Sequence, residues 1–362
     1  MRLGNLIDIL EQIAPTNRAE SWDNVGLLVG DPEQNVSQIL LTIDYTPQVA
    51  AEAKKLGAQL VIAYHPPIFH PLKQLTSSSL IWNAIRDGIA LYSPHTALDV
   101  ADGGTNDMLA DVLGMVDRQP LRPASAQPTQ CKLVVFVPQD AVDQVSQAIF
   151  DAGAGEIGNY RCCSFQSPGT GTFFGNEASQ PAVGKPGKLE RVSEIRLETV
   201  LPIKRTEAII AAMRKAHPYE EPAFDLLQLA AHPSGSGMGR VGSLQKPAGR
   251  PEIYQRIKDA LHLEHLLVAG PQDGMVHRAA VCAGACGEFV EDALAAQVDL
   301  FLTGEMRHHD VLKAAAMGLT VVCTLHSNSE RAVLSRLRDR ITAAAKVSVQ
   351  ISAADRDPFS IA

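Results

Sequence analysis

Five short runs constrain the fold more than anything else in this chain: "QILLTID" (38–44), "AQLVIAY" (58–64), "IALYSPH" (89–95), "DLFLTGE" (299–305) and "LTVVCTLH" (319–326). Each is apolar almost throughout, and each stops at a residue that can carry chemistry. A strand with one wet face alternates apolar and polar residues; a run without alternation must bury both faces. Helix-type segments separate the runs: "PQVAAEAKKLG" after Thr46-Pro47, "LIWNAIRDG", and "TNDMLADVLG" closed by Gly114. The rhythm is βαβ, which predicts parallel or mixed sheet with helices packed outside.

The middle of the chain reads differently. "LRPASAQPTQ" (121–130) and "AAHPSGSGMG" (230–239) have linker composition. Between them come strand "CKLVVFVP", helix "DAVDQVSQAIFDAGA", a strand around "YRCCSFQ" and a Gly/Pro-rich loop from Pro168 to about Lys188. Strand "SEIRLETVLPI", helix "KRTEAIIAAMRKA" and strand "AFDLLQL" follow. This order suits a ferredoxin-like domain inserted whole into another domain. The expected class is therefore α/β: a two-part mixed-sheet α/β core, residues 1–122 and 233–362, with an inserted ferredoxin-like α+β domain at 123–232. After about residue 240 the βαβ rhythm resumes with "HRAAVCAG", and "KVSVQIS" is the last strand.

Bulk properties exclude several functions. The 362 residues are 46% hydrophobic and 20% charged, which fits a packed protein and not a disordered one. A net charge of -8 supplies no basic footprint for a phosphate backbone, so nucleic acid is not the expected partner. No secretory leader and no membrane-spanning run is apparent, and a cytoplasmic location is expected. The six cysteines form no CxxC pair. Cys282 and Cys286 stand four apart, but no partner His or Cys lies at ligand spacing, so they read as small buried thiols.

In open α/β sheets, ligands bind beyond the carboxyl ends of the strands. Asp44, His65, His95 and Asp99, Glu305 with His308 and His309, and His326 with Glu330 all fall there. Pro66 and Pro67 stiffen the loop behind His65 and fix the direction of its side chain. Glu330 belongs in the first turn of a helix beginning near Ser327 or Ser329, where it can face the same point as His326. The same spacing also fits a capping box with Ser327 as N-cap. Asp44 in "DYTP" fits a plain strand-to-helix turn equally well. Jointly, His65, Asp99, His326 and Glu330 give two imidazoles and two carboxylates at one edge of one sheet. Such a mixed set suits one or two divalent ions of Zn, Fe, Mn or Co, with a carboxylate able to bridge a pair.

"ESWDNVGLLVG" (20–30), "AYHPPIF", "SPHTALDV", "DLFLTGEMRHHD", "LHSNSERAVL" and the terminal "DRDPF" together resemble the dinuclear metal-centre proteins labelled GTP cyclohydrolase 1 type 2 homologues. The insert, with "SPGTGTF" and "AHPYEEPAFD", resembles the domain akin to PII and copper-tolerance trimers carried by longer members. The resemblance implies a toroidal homohexamer with metal pairs facing a central cavity. Its ligand pattern falls on Tyr64, His65, Asp99, His326 and Glu330, Tyr64 replacing the first His of many bacterial members. A phenol is a poor ligand near neutrality, so His65, Asp99 and Glu330 are expected to hold one ion better than His326 and Glu330 hold the second. His95, Glu305 and His309 match positions near the cavity: His95 beside the metal, Glu305 and His309 as candidate proton-transfer groups.

Two functions follow as expectations. One is a metal-dependent hydrolase acting on a small-molecule nucleotide or phosphoester. The other is a non-enzymatic metal-binding scaffold for metal handling or partner regulation. "SPGTGTF" lacks the lysine of a P-loop and reads as a turn-rich loop, and "HPYEEP" (217–222) as a helix end and loop rather than extra metal ligands.

Overall fold

The computed structural model describes residues 1–124, 130–229 and 235–360. Half of the 121–130 linker (125–129) and the first half of the 230–239 linker therefore lie outside the described residues. Two compact units emerge, one built from 1–124 and 235–362, the other from 125–234.

The first unit contains two large sheets, where the sequence suggested one. Edge to edge, the first runs Gly26–Val29, Ala90–Ser93, Leu60–Ala63, Gln38–Thr42 and Ser348–Ile351. All neighbours are parallel except the outermost pair, Gly26–Val29 with Ala90–Ser93. The second runs Leu267–Ala269, Thr320–Cys323, Leu300–Glu305, Met275–Ala285, Arg240–Gly249 and Met115–Gln119. Its apolar strands Met275–Ala285, Leu300–Glu305 and Thr320–Cys323 are parallel to one another, and the flanking ones antiparallel.

The unbroken apolar runs are explained by two-sided burial. Ile39, Leu41 and Ile62 enter one cluster with the helix Leu3–Ile13 and the helix Val333–Ala344; Leu40, Val61 and Leu91 enter another on the opposite face. Val281, Leu302 and Val322 divide from Cys282, Phe301 and Val321 in the same way. Sequence reading missed the second sheet because three of its strands carry weaker signals. Met115–Gln119 reads "MVDRQ", Arg240–Gly249 holds three Gly and Pro residues, and Leu267–Ala269 has three residues.

Chain crossings knit this unit together. The last strand, Ser348–Ile351, returns to the first sheet beside Gln38–Thr42, while Met115–Gln119 crosses into the second. At the neck of the insertion, Arg122 and Pro123 pair antiparallel with Met238 and Gly237. Buried Arg240 donates to Asp107 Oδ1 at 2.7 Å and to the carbonyls of Val100, Gly237 and Gly239. Among the described residues no helix is long and apolar enough to cross a membrane.

The second unit is a four-stranded antiparallel sheet in the order Phe224–Gln228, Gln130–Pro138, Leu189–Pro202, Ser164–Phe174, with the helices Val142–Asp151 and Thr206–Ala216 on one face. "SPGTGTF" is a correction to the sequence reading: it is strand, paired without a break from Ser164 to Phe174. It lies at the sheet edge, where a strand needs partners on one side only and tolerates Pro168. The connecting loop begins at Gly175, not Pro168.

Replacing Arg240 by Ala strips Asp107 of its cation and leaves several carbonyls unpaired. The expected cost is about 3–5 kcal/mol, read as a lowered midpoint in urea unfolding with an unchanged slope.

Candidate metal centre

His65 stands just past the strand Leu60–Ala63, and its position is fixed by backbone before the prolines act. Tyr64 N–H donates to Thr42 O and His65 N–H to Ile43 O, so the parallel ladder continues beyond the strand. Ser93 Oγ donates to Tyr64 O. His326 opens the helix His326–Arg331 after Leu325, whose φ of 72° and ψ of 156° is a conformation side chains rarely adopt. Strain of this kind persists where the surroundings hold it, often at functional sites. Ser327 does not cap this helix, against the capping-box alternative. Its hydroxyl donates to Asp357, and Ser329 Oγ donates to His326 O while accepting from Gly284 N–H.

The terminal "DRDPF" block joins the two sheets at this point. Asp355 Oδ2 accepts from Ile43 N–H at 2.9 Å and from Arg331 at 2.6 Å. The helix bearing His326 and Glu330 is thereby tied to the strand end beside His65.

The outcome is a cluster of His65, His326 and Glu330 whose ligand atoms lie within 4.8 Å of one another. Glu330 Oε2 is 3.1 Å from His65 Nε2, and Oε1 is 3.3 Å from His326 Nε2. Only 3% of the Glu330 side chain is exposed. Gly284, at φ +76°, lies under it; a Cβ there would stand 3.1 Å from Glu330 Oε1. Although close, His65 Nε2 and Glu330 Oε2 are misaligned for a hydrogen bond, and both are buried without a partner. A cation between these two atoms, displacing the imidazole proton, would satisfy both.

Three imidazoles share one mode of support. His65 Nδ1 meets Asp44 Oδ1 at 2.9 Å, His326 Nδ1 meets Glu305 Oε1 at 2.9 Å, and His95 Nδ1 meets Asp23 Oδ1 at 2.8 Å. A carboxylate only accepts, so each Nδ1 carries the proton and each Nε2 is left for another partner. The His95 ring lies 5.4 Å from that of His65, which lies 5.2 Å from that of His326. Trp22 and Phe69, both exposed, extend this line of rings outward from His95.

Other sequence candidates fall as follows. Asp99 lies outside the three-residue cluster, buried in the helix His95–Val100, and accepts a short hydrogen bond from the Tyr64 hydroxyl. Burial pushes its pKa up to about 6 against the Tyr64 hydrogen bond, and burial beside Asp99 drives the Tyr64 phenol far above its usual range. Glu305 is engaged by His326, and Asp44, the weakest candidate in the sequence, by His65. His309 sits on the helix His308–Ala316 beside His308 and makes no hydrogen bond or ion pair with the cluster. Cys282 and Cys286 are free and buried. Asp23 was missed as a partner; its signal was an acid wedged between Trp22 and Asn24 directly before a strand.

Electrostatically, the cluster is an acid held between bases. Burial works against the charged form of His65, but Asp44 and Glu330 outweigh it and raise its pKa to about 10. Glu330 chiefly raises that of His326 to about 9. Burial opposes the charge of Glu330, yet the two imidazoles hold its pKa below the ordinary value.

These features define a mixed α/β protein with a His-His-Glu metal-ligand cluster where two sheets meet. Comparison with known proteins agrees. The family model described as Duf34/NIF3 (NGG1p interacting factor 3) matches residues 1–358. The chain belongs to the DUF34/NIF3 family. It is 35% identical to a Halalkalibacterium halodurans protein named GTP cyclohydrolase 1 type 2 homolog, covering 99% of this chain and 100% of the relative. A Bacillus subtilis protein of the same name is also 35% identical, covering 98% and 97%. Among solved structures, a Staphylococcus aureus protein superposes with a TM-score of 0.80 at 26% identity, covering 100% and 99%. A Bacillus cereus protein related to NIF3 gives 0.66 at 34% identity, with the same coverage.

Both imidazoles titrate above neutrality and so carry two protons in the metal-free protein at pH 7. Zinc binding at that pH should release roughly two protons per chain, measured with an indicator in weak buffer, and fewer as the pH rises through 9–10. The same raised pKa values stabilise the metal-free fold fully below about pH 6.5, and that contribution declines as pH climbs through 9–10.

Proposed function

We propose that this protein is a divalent-metal-dependent hydrolase whose centre holds one ion firmly and a second more weakly, acting on nucleotides or other phosphoesters. The observation that carries the reading is Glu330, a buried carboxylate that turns one oxygen to each of two imidazoles. His65 Nε2, His326 Nε2 and both Glu330 oxygens are the donors, a set suited to Zn, Fe, Mn or Co. Asp99, engaged by the Tyr64 hydroxyl, is the further carboxylate that the resemblance assigns to the centre, with Tyr64 in place of a histidine. When bound, such ions supply Lewis acidity and acidify water.

The chain's own residues have distinct tasks in this reading. Asp44 and Glu305 fix the tautomers of His65 and His326, and Asp23 does so for His95. Asp99, with a pKa near 6, holds or releases a proton at the Tyr64 hydroxyl contact, while His309 is a candidate for proton transfer with Glu305. The same proposal includes a homohexamer, from the resemblance, and a ferredoxin-like identity for the insert, from its strand order and two one-sided helices.

One observation favours the alternative, a metal-binding scaffold without catalysis. Asp44, Glu305 and Asp23 are each committed to an imidazole, which leaves few free bases beside the cluster.

Stripping the protein of metal and returning Zn, Mn, Fe and Co separately decides between the two. Metal-restored hydrolysis of nucleotides or generic phosphoesters, abolished in His65→Ala, is the expected result. Stoichiometric binding with no turnover under any metal would establish the scaffold instead. Metal analysis should find about one tightly held ion per chain, rising toward two in Tyr64→His; two in the unmodified protein would defeat this account of Tyr64.

A further inference from the structure

Two sequence motifs play no part in the metal centre, "SPGTGTF" and "HPYEEP", and both line one cavity of ≈ 530 Å³ within the inserted unit. That volume suits a small organic molecule. The walls are largely apolar: Phe136, Pro168, Phe173, Pro181 and Ala223. The cavity lies on the sheet face that carries Glu194 and Arg196, residues of the strand Leu189–Pro202.

Glu194 is 7% exposed. Its Oε1 accepts a hydrogen bond from the Tyr219 hydroxyl at 2.9 Å. No lysine, arginine or histidine pairs with it among the described residues. Arg196 donates Nε to Glu198 at 2.7 Å, and Lys132 is drawn to the same Glu198 at 3.0 Å. His217 spends both ring nitrogens locally: Nε2 donates to Phe136 O, and Nδ1 accepts from Tyr219 N–H. A buried carboxylate with one neutral hydrogen bond and no cation is expensive unless something charged completes it. The local sequence preserves the arrangement, because a Cβ at Gly171 on the neighbouring strand would overlap the Glu194 carboxylate.

We propose that this cavity binds a small organic cation, an amine, amidine or guanidine on an apolar body of about aromatic-ring size. Its charged nitrogen meets Glu194, and its body packs against Phe136, Phe173 and the flanking prolines. The cavity reads charge through Glu194 and shape through its apolar walls. This site is separate from the metal centre and does not depend on the hydrolase reading.

Isothermal titration of the full chain with three near-isosteric probes tests the proposal: phenethylamine, phenylethanol and phenylacetate. The amine should bind at least tenfold tighter than the alcohol, and the acid weakest. Glu194→Gln keeps the shape of the side chain and an acceptor for Tyr219, and should erase the amine's advantage. An unchanged far-ultraviolet circular dichroism spectrum and melting midpoint serve as the folding control, and the amine-alcohol comparison in the unmodified protein needs no variant at all. Equal binding of amine and alcohol, no binding of any probe at millimolar concentration, or undiminished amine binding by Glu194→Gln would each overturn it.

Discussion

A carboxylate that is almost wholly removed from water must find compensating charge, and Glu330 finds it in imidazoles delivered by two different sheets. His65 arrives from the first and His326 from the second. Neither sheet alone makes this site, so much of the first unit's architecture serves to bring their strand ends together. Asp355 holds the seam, with one oxygen shared between Ile43 N–H of the first sheet and Arg331 of the helix following the second. A chain tail that looks peripheral in sequence is thus part of the framework under the ligands.

Support in this centre is as regular as the ligand set. Three acids hold three histidines through the same ring nitrogen, each acid reached from a distant part of the chain. The arrangement leaves the Nε2 atoms of His65 and His326 facing Glu330 and preorganised, so little ordering entropy remains to be lost when a ligand arrives. The strained backbone at Leu325 belongs to the same economy: it sets the entry angle of the helix on which His326 and Glu330 are one turn apart.

Much of this was legible in the sequence because strand burial and strand ends leave strong marks. Two-sided apolar runs predicted interior strands, and the residues just past their ends included His65 and His326, with Glu330 one helical turn further on. What escaped was long-range. Strands such as "MVDRQ" carry no alternation that distinguishes them from a loop, so the second sheet was merged with the first. Asp44 and Glu305 were visible as acids, but which imidazole each supports depends on a fold-level meeting that spacing does not encode. Ser327 had the spacing of a cap, yet its hydroxyl is taken by Asp357, a partner 30 residues away. In "SPGTGTF", turn-type composition outweighed the edge position that lets glycine and proline remain in a strand.

The short pairing of Arg122 and Pro123 with Met238 and Gly237 works as a clasp. It brings the two ends of the excursion side by side, so the surrounding unit sees only a closed loop, whatever that loop contains. The entropic penalty of such a loop grows only with the logarithm of its length. Evolution is therefore free to lengthen, exchange or delete the cargo at this point at little thermodynamic expense to the host.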